Sequence, residues 1–172
     1  MSQVADTPIA DQGAPLHETE IVSSLPVRHL CDWSVELEPV QVVPTPVGTR
    51  MIYVLKRGSC SGDRLQGEFV PGGGDWLLVG QDSVARVDVR VTLRTDDGEL
   101  IFVTNSGVIS MSPEVLERLS QGETIRWDEM YTRTVPHFET SSEKYGWLTS
   151  IQAISINEIG PERIDYRIYE VL

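Results

Sequence analysis

Residues Val84 to Thr95 read V-A-R-V-D-V-R-V-T-L-R-T, and no other stretch restricts the fold of this 172-residue chain as tightly. Successive side chains on a strand point to opposite faces, so Ala85, Val87, Val89, Val91 and Leu93 fall on one face. Arg86, Asp88, Arg90, Thr92 and Arg94 fall on the other. A helix would mix the two sets. Asp96-Asp97-Gly98 follows as a turn, because Gly takes positive φ at no steric cost, and Glu99 to Val108, containing L-I-F-V-T, returns as the second strand of a hairpin.

Further β-rich runs lie at 30–38, 49–57, 65–70, 76–80, 129–135, 147–159 and 163–171. One stretch reads as a helix: Ser112 is an N-cap, Pro113 suits the first helical position, Val115, Leu116 and Leu119 are apolar, and Gly122 is a stop. Short strands joined by glycine-containing turns, with one helix, fit a mainly all-β fold, a single antiparallel β-barrel of about eight to ten strands. Residues 1–27 carry four acids, no Lys or Arg and three prolines, without sustained periodicity. They read as a flexible acidic tail, leaving 28–172 as the barrel domain.

Charge removes several functions. Fourteen Lys and Arg against 26 Asp and Glu give a net charge of -12, so nucleic acid and anionic lipid are repelled at long range. No apolar run approaches the ~20 residues of a membrane helix, and the N-terminus has no basic patch with an apolar block. Cys31 and Cys60 form no CxxC pair and no disulfide framework, so a reduced, cytoplasmic location is expected.

The glycine cluster Pro71-Gly72-Gly73-Gly74 runs into the strand-like W-L-L-V-G with no following Lys, which fits a turn or bulge rather than a phosphate loop. His17, His29 and His137 show no ligand spacing, and neither a nucleophile elbow nor a dinucleotide fingerprint is present. No metal and no cofactor is therefore expected. Carboxylates, arginines and aromatics remain. Asp88 and Arg90 share one face of a strand, where an ion pair is ordinarily solvent-facing. The second cluster, Tyr131-Thr132-Arg133, Pro136-His137-Phe138-Glu139 and Tyr145-Gly146-Trp147-Leu148, interleaves charges with rings as a small-molecule pocket does.

Five segments in order carry a resemblance: G-E-F-V-P-G-G-G-D-W at 67–76, V-D-V-R at 87–90, L-R-T-D-D-G-E-L-I at 93–101, Y-T-R-T-V-P-H-F-E-T at 131–140 and K-Y-G-W-L at 144–148. From about Leu30 to the C-terminus the chain resembles the domain of unknown function 3237 family. The resemblance implies a compact antiparallel β-barrel with no single established activity, and it marks Asp75, Trp76, Asp88, Arg90, Asp97, Arg133, Phe138, Glu139, Tyr145 and Trp147. Two positions depart from the family pattern. Thr149 stands where Asn is usual, which puts a pocket amide in doubt, and Asp82-Ser83 replaces an Asp-Gly turn.

Three functions compete on these residues. The first is a cofactor-free enzyme, of isomerase, lyase or cyclase type, acting on a small apolar or aromatic carbonyl compound. In it Asp88 or Glu139 is the general acid or base, and Arg90 or Arg133 stabilises negative charge. Tyr145 donates a hydrogen bond, while Asp75, Trp76, Phe138, Trp147 and Thr149 hold the substrate. The second is a non-catalytic carrier or sensor for the same ligand. The third is a filled structural module that pairs through its β edges as a homo-oligomer. The first requires a hollow barrel into which Asp88, Arg90, Arg133 and Glu139 project.

Overall fold

The computed structural model describes residues 24–172. Nine strands follow in chain order: β1 (Val27–Leu37), β2 (Gln41–Thr45), β3 (Gly48–Ser61), β4 (Gly67–Gly80), β5 (Ala85–Thr95), β6 (Leu100–Ser110), β7 (Tyr131–Glu139), β8 (Gln152–Ile159) and β9 (Arg163–Val171). Neighbours pair antiparallel in the order β1-β9-β8-β7-β6-β5-β4-β3. A further β1–β3 ladder, Asp32–Leu37 against Leu55–Ser61, closes eight strands into a barrel. β2 pairs only with β3, so the β2–β3 hairpin projects beyond the closed wall. Helix α1 (Pro113–Ser120) links β6 to β7, with the Ser112 hydroxyl accepting from the Val115 N–H and Pro113 in its first turn.

The β5–β6 hairpin has the register its alternation demands, from Ala85 opposite Ile109 to Arg94 opposite Leu100. Three expected spans change. The runs at 65–70 and 76–80 are one strand, β4, because the glycine cluster is absorbed as a bulge. Pro71, Gly72 and Gly73 together oppose the single Val91 of β5. Gly72 takes φ +110°, and a Cβ on Gly74 would stand 2.3 Å from the Tyr53 carbonyl oxygen, so this bend requires glycine. Strand β2 has no counterpart in the sequence reading, because Pro44 and Pro46 around Val42, Val43 and Val47 resemble a loop. Residues Gly146–Ser150 form a 3-10 turn rather than the start of β8. Of the expected tail, residues 1–23 lie outside the described residues. Among the described residues, the Pro26 carbonyl already accepts from the Leu172 N–H.

The barrel interior is filled over most of its length. Leu30, Leu65, Leu93, Ile101, Leu148 and Ile168 are essentially inaccessible and plug one end. Above them Trp33 meets Phe69 and Phe138 edge-on, at ring centroid distances of 5.4 and 6.3 Å, and Tyr166 at 5.8 Å. One seam is held differently from the rest. β7 and β8 share a single ladder pair, Thr134 with Ser155. Pro136, which has no N–H to give, lies in β7 beside this gap in the ladder. Side chains bridge the seam instead: the Thr132 hydroxyl donates to Asn157 Oδ1, and the Thr134 and Ser155 hydroxyls bond each other.

Candidate functional site

Directly above the aromatic layer, one row of paired residues runs across five strands: Tyr53 on β3, Asp75 on β4, Val89 on β5, Asn105 on β6 and Pro136 on β7. Pairing residues share a face, and here that face is the interior. Its first four members, Tyr53, Asp75, Val89 and Asn105, border a narrow slot of about 30 Å³, walled also by Trp33, Leu55, Phe69, Val91 and Tyr166, with Leu37 and Ile164 at its half-buried rim. The β4 bulge bends the strand just before Asp75 and places that carboxylate at the slot wall.

Asp75 is 9% exposed, and its Oδ1 accepts the Asp88 backbone N–H at 2.9 Å. Burial pushes its carboxyl up to about 6. The backbone hydrogen bond opposes that rise, the Asp88 charge adds to it, and the Arg50 charge opposes it. The phenols of Tyr53 and Tyr166 are raised too, first by burial and then by the negative charge of Asp75. The slot thus holds a carboxylate that gains and loses a proton near neutrality, beside two phenols that stay neutral and can donate. Both polar atoms of Asn105 are buried without a hydrogen-bond partner among the described residues. Trp33 Nε1 also lacks one, although the Cys31 thiol lies beside it.

The four charged side chains expected to project inward do not. On β5 the interior takes Val87, Val89, Val91 and Leu93, which leaves Asp88 and Arg90 outside, ion-paired at 3.1 Å and about half exposed. On β7 the interior takes Thr132, Thr134, Pro136 and Phe138. Arg133 therefore lies outside, 5.2 Å above the Tyr131 ring, and Glu139 is exposed. The physical reason is the alternation itself: one face of each strand must be buried, and the apolar set claims it. Trp76 also faces outward, with the Arg90 guanidinium 5.8 Å over its ring.

The remaining expected residues hold the opposite end together. Tyr145 is buried and donates to Asp97 Oδ1 at 3.0 Å, so its hydroxyl serves the β5–β6 turn. Trp147 lies under the Arg64 guanidinium at 3.7 Å, and Arg64 in turn pairs with Glu170 at 2.6 Å. Thr149 is exposed and donates to the Gly146 carbonyl oxygen. Of the expected residues the structure therefore brings Asp75 to the slot and Phe138 to the aromatic layer beneath it. It does not gather the others there.

Asn105, Tyr53, Tyr166 and Trp33 were not singled out in the sequence. A signal existed for two of them. Asn105 has the same parity as Ile101 and Val103, and Tyr166 the same parity as Ile164 and Ile168, so each is a polar group on a face the pattern marks as buried. Two larger hollows, of about 360 and 370 Å³, are also present; the first adjoins the slot and shares Trp33 and Tyr166 with it, and the second lies by the β5–β6 turn. Both have charged walls that include internal ion pairs, Asp32 with Arg167 and Asp97 with Lys144, and neither is lined by Asp75 or Asn105. No group of three His, Cys, Asp or Glu side chains converges to hold a metal among the described residues, and no described helix is long and apolar enough to cross a membrane.

Comparison with known proteins agrees with the architecture. A UPF0311 protein of Clostridium acetobutylicum is 31% identical over 125 residues, 73% of this chain and 79% of that one. A β-barrel-like protein from Acinetobacter baumannii AYE superposes with a TM-score of 0.75 at 30% identity, covering 90% of this chain and 100% of that one. A structure described as an enzyme from Penicillium herquei superposes with a TM-score of 0.66 at 19% identity, over 90% and 99% of the two chains, a likeness of fold. The family described as "Protein of unknown function (DUF3237)" matches residues 25–171, and with nearly the whole barrel inside that match the chain belongs to it.

Proposed function

We propose that the barrel is a cofactor-free acid–base catalyst, of isomerase or lyase type, for a small neutral carbonyl compound of apolar or aromatic body, and that Asp75 is its base. The observation that carries this reading is the buried Asp75 carboxyl, raised to about 6 in an otherwise apolar slot. A general base works best with a pKa near the ambient pH, and burial has moved this one there from the ordinary carboxylate range. Asp75 takes a proton from the carbon next to the substrate carbonyl, and the negative charge passes to the carbonyl oxygen. A phenol of Tyr53 or Tyr166 donates to that oxygen. Return of the proton to a different carbon isomerises the substrate. Alternatively the enolate electrons form a Cα–Cβ double bond as a leaving group departs from the β carbon with its bonding pair. That group takes the proton held by Asp75.

At about 30 Å³ the slot has room for one or two waters, so substrate enters by displacing the rim side chains Leu37, Tyr53 and Ile164. The fold of the Penicillium herquei enzyme lends the reading support by analogy. That same small volume favours a second reading, a filled structural module. Against it stands the cost of burying Asp75 with a single backbone N–H donor and Asn105 with no partner among the described residues, where apolar residues would be more stable.

The test is exchange of the α-hydrogens of 2-tetralone in D2O, followed by NMR. The native protein is expected to accelerate it with a rising limb near pH 6, and Asp75→Asn to lose about 10²–10⁴-fold of the acceleration. Equal rates in the two proteins would remove Asp75 from the chemistry.

A further inference from the structure

We infer that Asn105 reads the ligand, and that it selects a neutral compound in which a carbonyl stands beside an N–H or O–H, as in a lactam, a primary amide or a hydroxyenone. The inference rests on the slot being the ligand site and adds the identity of the group recognised there. Asn105 is 1% exposed, and neither its Nδ2 nor its Oδ1 has a partner among the described residues. Its row neighbours, Val89 and Pro136, carry no polar side-chain atom, and Val103 adjoins it on the same face.

Among the described residues the one other buried side-chain polar atom without a partner is Trp33 Nε1, a lone donor, whereas the hydroxyl and amide groups one seam away are matched. Thr132 and Asn157 bond each other, as do Thr134 and Ser155, one strand seam away. The fold therefore can match buried polar side chains, and Asn105 is the described residue that leaves both a donor and an acceptor unmatched. A buried donor and acceptor left unmade each cost their full desolvation, which a Leu or Val at this position would avoid.

The chemistry of the carboxamide then defines the ligand. Its oxygen accepts and its nitrogen donates, side by side and in one plane, so a lone carbonyl satisfies only half of it. A carbonyl flanked by a donor satisfies both. An anionic ligand is disfavoured, because no Lys or Arg lines the slot and Asp75 contributes negative charge. Asp75 lies in the same row two strands away, about 9–10 Å between backbones, so a flat ligand held at Asn105 extends toward it.

The probe is 2-pyridone, whose ring N–H and carbonyl are adjacent, set against N-methyl-2-pyridone, benzoate and benzylamine. Binding to the full ¹⁵N-labelled chain is followed through the Asn105 carboxamide resonances. The expected result is that 2-pyridone moves those resonances and binds at least about tenfold tighter than its N-methyl analogue, since a site built for a hydrogen bond rejects a ligand lacking it. Asn105→Leu is expected to bring the two within about twofold. Equal binding of the two pyridones, tighter binding of benzoate or benzylamine, a preference that survives Asn105→Leu, or no binding by any probe each overturns the inference. If the Leu variant fails to fold, the native-protein titration decides alone. Asp75→Asn separates the two readings: it should retain the pyridone preference while losing exchange. A preference without exchange in the native protein overturns only the catalytic reading, and exchange without a preference overturns only this one.

Discussion

Asp75 and Asp97 sit in different regions of one barrel and show how far surroundings can separate two identical side chains. Asp97, in the β5–β6 turn, receives the Lys144 ammonium at 2.6 Å, the Thr95 hydroxyl at 2.6 Å and the Tyr145 hydroxyl at 3.0 Å. Those donors, Lys144 foremost, hold its carboxyl well below the usual range. Asp75 receives one backbone N–H, and burial drives it the other way, up to about 6. A carboxylate matched by donors serves the structure. One left nearly unmatched in an apolar slot costs stability and retains a reactive proton.

The largest expected effect beyond the exchange assay is on the pH dependence of stability, where the two aspartates act in opposite directions. The raised carboxyl of Asp75 leaves stability intact below the unfolded value of about 4 and erodes it as pH rises through 6. Two units correspond to about 3 kcal/mol. The depressed carboxyl of Asp97 stabilises above about 4 and loses that contribution only in more acid solution. Urea unfolding of the native protein and Asp75→Asn at pH 4 and pH 7 should therefore diverge. The variant gains about 2 kcal/mol relative to the native protein over that interval, and any fixed cost of the new amide cancels in the difference. Parallel curves would mean that Asp75 is not strained by burial.

Tyr145→Phe tests the donor-rich end. Removing the hydroxyl takes one hydrogen bond from Asp97 and leaves the Lys144 and Thr95 bonds in place, at a cost of about 1 kcal/mol. The midpoint of thermal unfolding should fall by about 3 °C with exchange activity unchanged. A catalytic Tyr145 would give the reverse pattern, with activity lost and the midpoint kept.

The alternation of β5 and β6 and the cap of α1 made the barrel legible in the sequence, because each is a local rule that the packed structure does not override. The boundaries that failed depend on distant partners. β4 continues through Pro71–Gly73 only because β3 and β5 hold both of its ends, and β2 exists only because β3 offers an edge. The site was half legible. Periodicity separates two faces without saying which polar residue sits among the apolar ones. Asp88 and Arg90 are conspicuous as charges, yet Asn105 and Tyr166, which share the parity of Ile101, Val103 and Ile168, are the polar residues that the buried faces carry. Asp75 entered through the family resemblance, as a substrate contact, and the bulge before it is what brings its carboxylate to the slot wall.

The smallest expected effect belongs to those outward charges, and its smallness is the sharpest check on the assignment of faces. Asp88 and Arg90 form a half-exposed pair, a class worth at most about 1 kcal/mol because solvent screens the attraction and two flexible side chains must be ordered to make it. Asp88 touches Asp75 through its backbone N–H, which Asp88→Asn retains. Loss of its charge should lower the Asp75 carboxyl slightly, since that charge is among the forces raising it, so the rising limb of the exchange profile moves marginally toward acid. Asp88→Asn, Arg90→Gln, Arg133→Gln and Glu139→Gln should each stay within about 0.5 kcal/mol of native stability and about twofold of native exchange at pH 7. A tenfold loss in any of them would place chemistry on the outer wall, where solvent reaches every group, and would undo the contrast between matched and unmatched carboxylates.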